Sequence, residues 1–398
     1  MGVIEYFNSL NKRKEFEKVL ALTLPTFFIS LSWAIVSPVF SIKINQITQD
    51  LFLSGIVFSI FSISAIFTNI LFGVIGDKVD ISKLIKLSTL MYVPLPLFYL
   101  ASEHFLHLVI VRIYQAFISA LFWSSSWIYL RKTSRKHLGE YIGIYFVSID
   151  LAYLLALLFG GYLGDLGINL PFYFFSIFAA LSFLTSLKLK GFKVTEKVGI
   201  WAEIRGSFSE LKRKIKFSIS IICITIITFA SSSIYGNFMP IILWEANFSI
   251  LMISIFLLAQ TVPALLLEIP MGIYIDKFGW KRGLMIGCAL AASAILIPSL
   301  TLDFLPIIIS SIFFYLGITL TSLVINHTFP LHFSPSRLGF FSGVLESIKH
   351  LGFGLGALLG GALLSEFSMK ITFSLFSLCL GSMALLLFLW EKKYKVKS

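Results

Sequence analysis

Long apolar runs, separated by short polar segments, follow one another along almost the whole chain. A helix needs about 20 apolar residues to cross the hydrocarbon core of a bilayer. The runs predict twelve membrane-spanning helices, at about residues 19–42, 53–75, 84–101, 106–130, 140–163, 171–187, 217–244, 250–275, 283–302, 306–330, 339–365 and 370–390. Most connections between them are short, as between antiparallel neighbours. The pattern therefore predicts an all-α, multi-pass membrane protein.

One connection is longer than the others and divides the predicted spans into six and six. It predicts an N-terminal six-helix bundle at residues 1–187, a cytoplasmic middle loop at residues 188–216 and a C-terminal six-helix bundle at residues 217–398. Within the loop, Trp201 and Ile204 begin a set of apolar residues at helical spacing. This spacing predicts an amphipathic helix on the membrane surface.

Composition and charge agree with a membrane protein and give its orientation. Apolar residues make up 57% of the chain and charged residues 13%, about half the roughly 25% of soluble domains. The net charge of +12 could serve nucleic-acid binding, an anionic lipid surface or membrane topology. If both termini are cytoplasmic, 28 of the 32 basic residues face inward, and only Lys43 and Lys370 lie in outer loops. We therefore expect a cell-membrane protein with cytoplasmic termini and lipid contacts, and no nucleic-acid partner.

The two halves of the chain repeat each other. Residues 73–83 read GVIGDKVDISK and residues 272–282 read GIYIDKFGWKR, at an offset of 199. Nine positions in or directly before the fifth predicted span recur at the eleventh at an offset of 200. With six spans in each half, both halves have the same orientation, which indicates parallel repeats about an axis along the membrane normal.

These residues make the chain resemble a transporter of the major facilitator superfamily. The cytoplasmic signature of that family is roughly G-x-x-x-D-[RK]-x-G-[RK]-[RK]. The second copy fits it through Gly272, Asp276, Lys277, Gly279, Lys281 and Arg282, with Trp280 as an extra residue before the basic pair. The first copy keeps Gly73, Asp77 and Lys78 but has Asp80 where glycine is expected. The resemblance implies two pseudo-symmetric six-helix bundles around a central cavity, a monomer, and a gating role for both copies. Ordinary topogenic charge in a tight loop is the alternative.

A second family pattern, R-x-x-Q-G, occurs in the fourth predicted span as Arg112, Gln115 and Ala116. An arginine within a span costs about 3 kcal/mol on insertion scales, so it should face the protein interior or a wet cavity. It could instead extend outward to the membrane surface, because it lies near the outer end of its span. The glycine-proline pattern typical of antiporters is only partly present in the fifth span.

Charged residues within the spans are the candidates for proton coupling, because a buried carboxylate can take up and release a proton. The candidates are Asp150, Glu268, Glu346 and His350. Glu346, Lys349 and His350 share one helical face, so an internally neutralised structural cluster is the alternative. Glu268, in the sequence LLEIPMG, resembles a form of this motif in efflux-type members, and could carry a proton or brace its helix.

Polar and aromatic residues at suitable depth are candidates for contact with a solute. They are Arg112, Gln115, Trp33, Trp123, Tyr235, Asn237, Gln260 and Lys349. For the aromatic residues, packing and interfacial anchoring are the alternative roles.

The function that we expect is secondary active transport of a small organic solute by alternating access, in the form of proton-coupled efflux of hydrophobic, drug-like compounds. The alternative is uptake of an organic anion or other metabolite, with Arg112 and Lys349 as charge partners. A membrane enzyme would need a polar catalytic cluster at one membrane face, and it would leave the repeat unexplained. We find no nucleotide-binding loop, paired cysteines or metal-ligand set, so we expect no cofactor and no metal. The expected partners are the solute, protons or another coupling ion, and lipid.

Overall fold

The computed structural model describes residues 3–75, 79–133, 138–191, 210, 215–333 and 338–395. Nearly all of these residues are helical, and none of them is in a strand. The helices are α1 (Val3–Thr48), α2 (Leu51–Ile75), α3 (Ile81–Tyr92), α4 (Leu95–Leu100), α5 (Phe105–Thr133), α6 (Leu138–Leu166), α7 (Leu170–Ser186), α8 (Ile215–Glu245), α9 (Ile250–Phe278), α10 (Trp280–Ile295), α11 (Ile297–Leu300), α12 (Phe304–Leu331), α13 (Leu338–Glu366) and α14 (Met369–Lys395). The predicted all-α membrane architecture is confirmed.

The helices follow the predicted spans, with some differences at the boundaries. Ten helical segments in the described part of the chain are long and apolar enough to cross a membrane, and two apolar segments, Leu170–Ser186 and Ile250–Thr261, are shorter. The first helix is longer than predicted and runs for 46 residues. Lys43, which we expected in an outer loop, consequently lies within α1.

Two predicted spans, the third and the ninth, are each divided into two helices. The first of these breaks falls at Pro94, between α3 and α4, and Pro96 occupies the first turn of α4. The second falls before Pro298, which lies in the first turn of α11. Proline has no backbone N–H to donate and is well accommodated in the first turn of a helix. The same residue type therefore interrupts both spans.

The chain forms two compact units. One consists of Met1–Phe40 with Phe67–Val198, and the other of Ser41–Ile66 with Gly199–Ser398. An aromatic cluster lies inside the first unit, where the Trp33 ring contacts the Phe175 ring at 5.0 Å between centroids. In the second unit the Tyr235 ring stacks on Phe314 at 4.3 Å. The predicted bundle boundaries at residues 187 and 217 stay a prediction.

Glycines allow several helices to approach each other at the backbone. Gly160 of α6 lies against the backbone of Ile35 in α1, and Gly360 of α13 lies against the side chain of Ile234 in α8. A Cβ atom built on Gly360 would be 2.7 Å from Ile234 Cγ1. Small residues permit close helix packing in membranes, where the hydrophobic effect does not drive helices together. These helix pairs therefore depend on glycine at the crossing.

Candidate functional site

An ion pair between Glu346 and Lys349 lies within α13. The two residues are three positions apart and so share one face of the helix. Lys349 Nζ donates a hydrogen bond to Glu346 Oε1 at 2.6 Å. The lysine side chain is only 10% exposed, whereas the glutamate side chain is 56% exposed. The pair is therefore asymmetric, with a buried ammonium and an accessible carboxylate.

An aromatic ring completes the environment of the ammonium. Lys349 Nζ lies 5.5 Å from the centroid of the Phe229 ring in α8. A second ring, that of Phe353, meets Phe229 edge to face at 5.2 Å. A cation over an aromatic face is attracted by the quadrupole of the ring. Lys349 is thus held by one carboxylate and one aromatic face.

His350 follows Lys349 and points towards another helix. Its ring lies 6.3 Å from that of Phe61 in α2. Its Nδ1 atom is buried and has no hydrogen-bond partner among the described residues. Of the three polar residues predicted to share a face, Glu346 and Lys349 neutralise each other, and His350 is not part of their ion pair. A proton-coupling role for Glu346 and His350 stays a prediction.

One face of α13 near Glu346 is open in the described part of the chain. A Cβ atom built on Gly343, almost one turn earlier in α13, would have no neighbour within 4 Å among the described residues. Asn326 and His327, near the end of α12, are exposed. Because α12 ends a few residues before α13 begins, these polar side chains lie towards the same end of the unit. Exposed polar groups at this depth favour contact with water over contact with lipid tails.

Arg112 is buried inside the first unit, where it belongs to a hydrogen-bonded network. Its Nη1 atom donates to Gln115 Oε1 at 2.7 Å, and the Tyr99 hydroxyl donates to the same oxygen. The guanidinium lies 5.3 Å from the centroid of the Phe40 ring. Arg112 is only 5% exposed. This burial favours the interior position that we predicted over extension to the membrane surface.

The predicted aromatic solute contacts lie mainly in packed surroundings. Trp33 contacts the rings of Phe40, Tyr92 and Phe175 edge to face. The Tyr235 hydroxyl shares a hydrogen bond of 2.8 Å with Ser310 Oγ, and its ring is fully buried. Tyr235 is thus buried and Trp33 half-buried among packed rings, and a solute contact for either residue stays a prediction. Trp123 is half-buried, and its ring contacts that of Phe122.

Two predicted amide contacts differ in their hydrogen bonding. Asn237 Nδ2 donates to Ser233 Oγ at 3.0 Å, and Ser233 in turn donates to the Phe353 carbonyl at 2.7 Å. Gln260 of α9 is buried, and its Nε2 atom has no hydrogen-bond partner among the described residues. The Asn237 amide group therefore donates a hydrogen bond within the protein, whereas the Gln260 amide group donates none to the described residues.

The predicted acidic residues outside α13 lie on α6 and α9 or beyond the described residues. Asp150 lies on α6 and is half-buried. Glu268 and Asp276 lie on α9, with side chains outside the described part of the chain. Asp77 and Lys78 lie wholly outside the described residues, as does the predicted amphipathic helix from Trp201. Gly73 lies near the end of α2 and Gly272 within α9.

The second copy of the cytoplasmic motif forms a tight glycine turn between α9 and α10. Gly279 has a φ of +87° and a ψ of 154°, a conformation that side chains disfavour, and its N–H donates to the Ile275 carbonyl at 2.8 Å. Lys277 and Lys281 lie over the adjacent rings of Phe278 and Trp280. Arg282 follows in the first turn of α10. The motif therefore places its basic residues at one helix junction.

The first copy of the motif has a helix N-cap, Asp80, where the second copy has a glycine turn. Asp80 has a φ of −65° and caps α3, because its carboxylate accepts a hydrogen bond from the Ser82 N–H at 3.1 Å. An aspartate directly before an apolar helix is a common N-cap. The sequence therefore contained a signal for this role, which we had treated only as a departure from the family pattern.

Comparison with known proteins gives one family. The model of the Major Facilitator Superfamily matches residues 22–217 and 221–398. The MFS-type transporter MJ1560 of Methanocaldococcus jannaschii is 26% identical over 356 residues, which cover 87% of this chain and 91% of that protein.

Solved transporter structures share the fold. The nucleoside transporter NupG has a TM-score of 0.79 and 14% identity, covering 93% of this chain and 98% of that chain. A bacterial homolog of the human lysosomal transporter Spinster, inward-facing and unoccupied, has a TM-score of 0.70 and 17% identity, covering 94% and 95%. The peptide transporter POT in complex with sulfate has a TM-score of 0.72 and 13% identity, covering 95% and 94%. At these identities the likeness concerns the fold alone.

Proposed function

Because this chain belongs to the major facilitator superfamily, we propose that it exports small hydrophobic, drug-like solutes by alternating access and that this export is coupled to protons. The family match extends over both sequence repeats, and the solved structures that share the fold are those of transporters. The family match makes the protein a membrane transporter. We propose in addition its class of solute, its coupling ion and its direction of transport.

The observation that carries the proposal is the exposed carboxylate of Glu346 in a membrane-spanning helix. An ionised side chain at membrane depth is costly and commonly marks a solute or proton pathway. Glu346 is 56% exposed although its partner Lys349 is buried, so a proton or solute can reach the carboxylate. Protonation of Glu346 would break its ion pair with Lys349 and change the charge of the site. Asp150, Glu268 and His350 are the further coupling candidates.

The alternative of anion uptake receives less support from the same contacts. An anionic solute would need an accessible positive charge within the spans. Arg112 is buried and donates to Gln115, and Lys349 is buried and donates to Glu346. Both cationic groups are therefore already engaged by the protein. The export of neutral or positively charged hydrophobic compounds fits the accessible charge better.

Flux measurements in proteoliposomes test this function. Purified protein is reconstituted, a pH gradient is imposed, and the movement of a panel of neutral and charged fluorescent hydrophobic compounds is followed. We expect gradient-driven flux that disappears when a proton ionophore collapses the gradient, and that is lost in the double variant Glu346→Gln/Lys349→Gln. Glu366→Gln, an exposed acid at the far end of the same helix, is the matched control. A rate of solute flux that does not change with the pH gradient would contradict the proposed proton coupling.

A further inference from the structure

We propose that Glu346 binds the charged group of a lipophilic organic cation, and that the Lys349 ammonium occupies that position while the solute is absent. The inference rests on the proposed function and names its class of solute. Lys349 Nζ is bonded to Glu346 Oε1 at 2.6 Å and lies over the Phe229 ring. A carboxylate and an aromatic face that contact the same ammonium together form a favourable environment for a cation. In this protein the Lys349 side chain already occupies that environment.

The unequal exposure of the pair determines which sign of charge can enter. The glutamate side chain is 56% exposed and the lysine side chain 10%. A solute approaching from the open side therefore meets the carboxylate first. An anion would have to displace Glu346 and reach a buried ammonium, whereas a cation can contact the carboxylate directly. The geometry consequently favours a positive charge on the solute.

The space around the carboxylate is suited to a solute larger than an inorganic ion. No atom of the described residues lies within 4 Å of a Cβ built on Gly343, which precedes Glu346 by three residues. Phe229 and Phe353 supply an apolar, aromatic wall on the side of Lys349. A compound with one positive charge and an apolar body could pair its charge with Glu346 and place its body in the open space. The apolar contacts would supply much of the binding free energy.

Competition by a side chain of the same molecule has a distinctive consequence. A tethered ammonium lowers the apparent affinity for any cation that needs the same carboxylate, because the fraction of protein with a free carboxylate is reduced. Removing the ammonium should therefore strengthen cation binding, and removing the carboxylate should weaken it. A site for anions predicts the opposite response to loss of the lysine. The two residues of one ion pair thus give effects of opposite sign.

Equilibrium binding to the purified full-length protein tests the inference, with radiolabelled tetraphenylphosphonium as the cation and tetraphenylborate as the anion of similar shape. We expect Lys349→Gln to tighten tetraphenylphosphonium binding by roughly three- to tenfold, as for removal of a competing ion pair. The double variant Glu346→Gln/Lys349→Gln, which leaves no buried charge unpaired, should bind it at least tenfold more weakly than Lys349→Gln. Glu366→Gln and Lys370→Gln are matched controls near the other end of α13 and should bind like the unmodified protein.

Three outcomes would overturn the inference. One is weaker tetraphenylphosphonium binding in Lys349→Gln, and another is equal binding by that variant and the double variant. The third is saturable tetraphenylborate binding that depends on Lys349. If any of these is accompanied by proton-driven flux of neutral compounds, the proposed function stands and only the cation site is wrong. If no compound moves with the pH gradient, the proposed function itself is wrong.

Discussion

Gly160 in α6 lies against the backbone carbonyl of Ile35 in α1, so closely that a Cβ on the glycine would overlap the carbonyl oxygen. In the second half of the chain the residues at the equivalent positions are also in contact, although Gly360 faces the side chain of Ile234 rather than its backbone. The glycines are 200 positions apart and the isoleucines 199, the same offsets that relate the two sequence repeats. The internal repeat is therefore maintained at the level of an individual helix crossing.

Replacing Gly160 by alanine should destabilise the protein by about 1–3 kcal/mol, because the opposing atoms belong to a backbone that cannot rotate away. Thermal unfolding of the purified protein in detergent measures the effect. Gly143→Ala is the matched control on the same helix, since no atom of the described residues lies within 4 Å of a Cβ built there. Equal unfolding temperatures for the two variants would show that α1 and α6 do not need the close approach.

Gly279→Ala should cost about 1–3 kcal/mol, because the backbone at this turn has φ +87° and ψ 154°, a region almost restricted to glycine. Gly272→Ala should instead leave stability unchanged or raise it by up to about 1 kcal/mol, since Gly272 is helical and has open space beside it. Denaturant or thermal unfolding of both variants provides the comparison. A loss of stability in Gly272→Ala equal to that in Gly279→Ala would contradict the turn argument.

The acceptor shared by Arg112 and Tyr99 should be important for folding. Gln115→Leu removes the oxygen that receives hydrogen bonds from both side chains, and we expect a loss of about 1–3 kcal/mol. Tyr99→Phe removes a single donor and should cost less. Thermal unfolding distinguishes the two substitutions. If Gln115→Leu is as stable as the unmodified protein, the network does not stabilise the first unit.

The ion pair in α13 should respond unequally to loss of its two members. Glu346→Gln leaves a buried ammonium without its carboxylate and should destabilise by about 1–3 kcal/mol, whereas Lys349→Gln leaves an accessible carboxylate and should cost less. In the double variant, part of the loss should be recovered. A double-mutant cycle of unfolding free energies measures the coupling. Additive losses would mean that the 2.6 Å contact contributes no interaction energy.

Much of the fold was predictable because the length of an apolar run reports directly on the thickness of a bilayer. The breaks in the third and ninth spans were not, since proline in an apolar run can bend a helix or end it. The spacing of Glu346 and Lys349 indicated a possible pair, but the burial of the lysine depends on Phe229, which lies more than 100 residues away in the sequence. For Tyr235 both solute contact and packing were open, because a span that is apolar on all sides does not reveal its rotation. The structure places its ring on Phe314 and its hydroxyl against Ser310, which favours packing, and solute contact stays a prediction.

The glycine row of α13 also affects the mechanical response of the second unit. Gly352 and Gly356 face the main-chain atoms of Ile226 and Ala230 in α8, so little side-chain volume separates the two helices. Displacing α13 along this contact would therefore require few changes of side-chain rotamer. The stacked rings of Tyr235 and Phe314 interlock instead and resist shear. The unit thus combines a compliant helix contact with a stiff aromatic core.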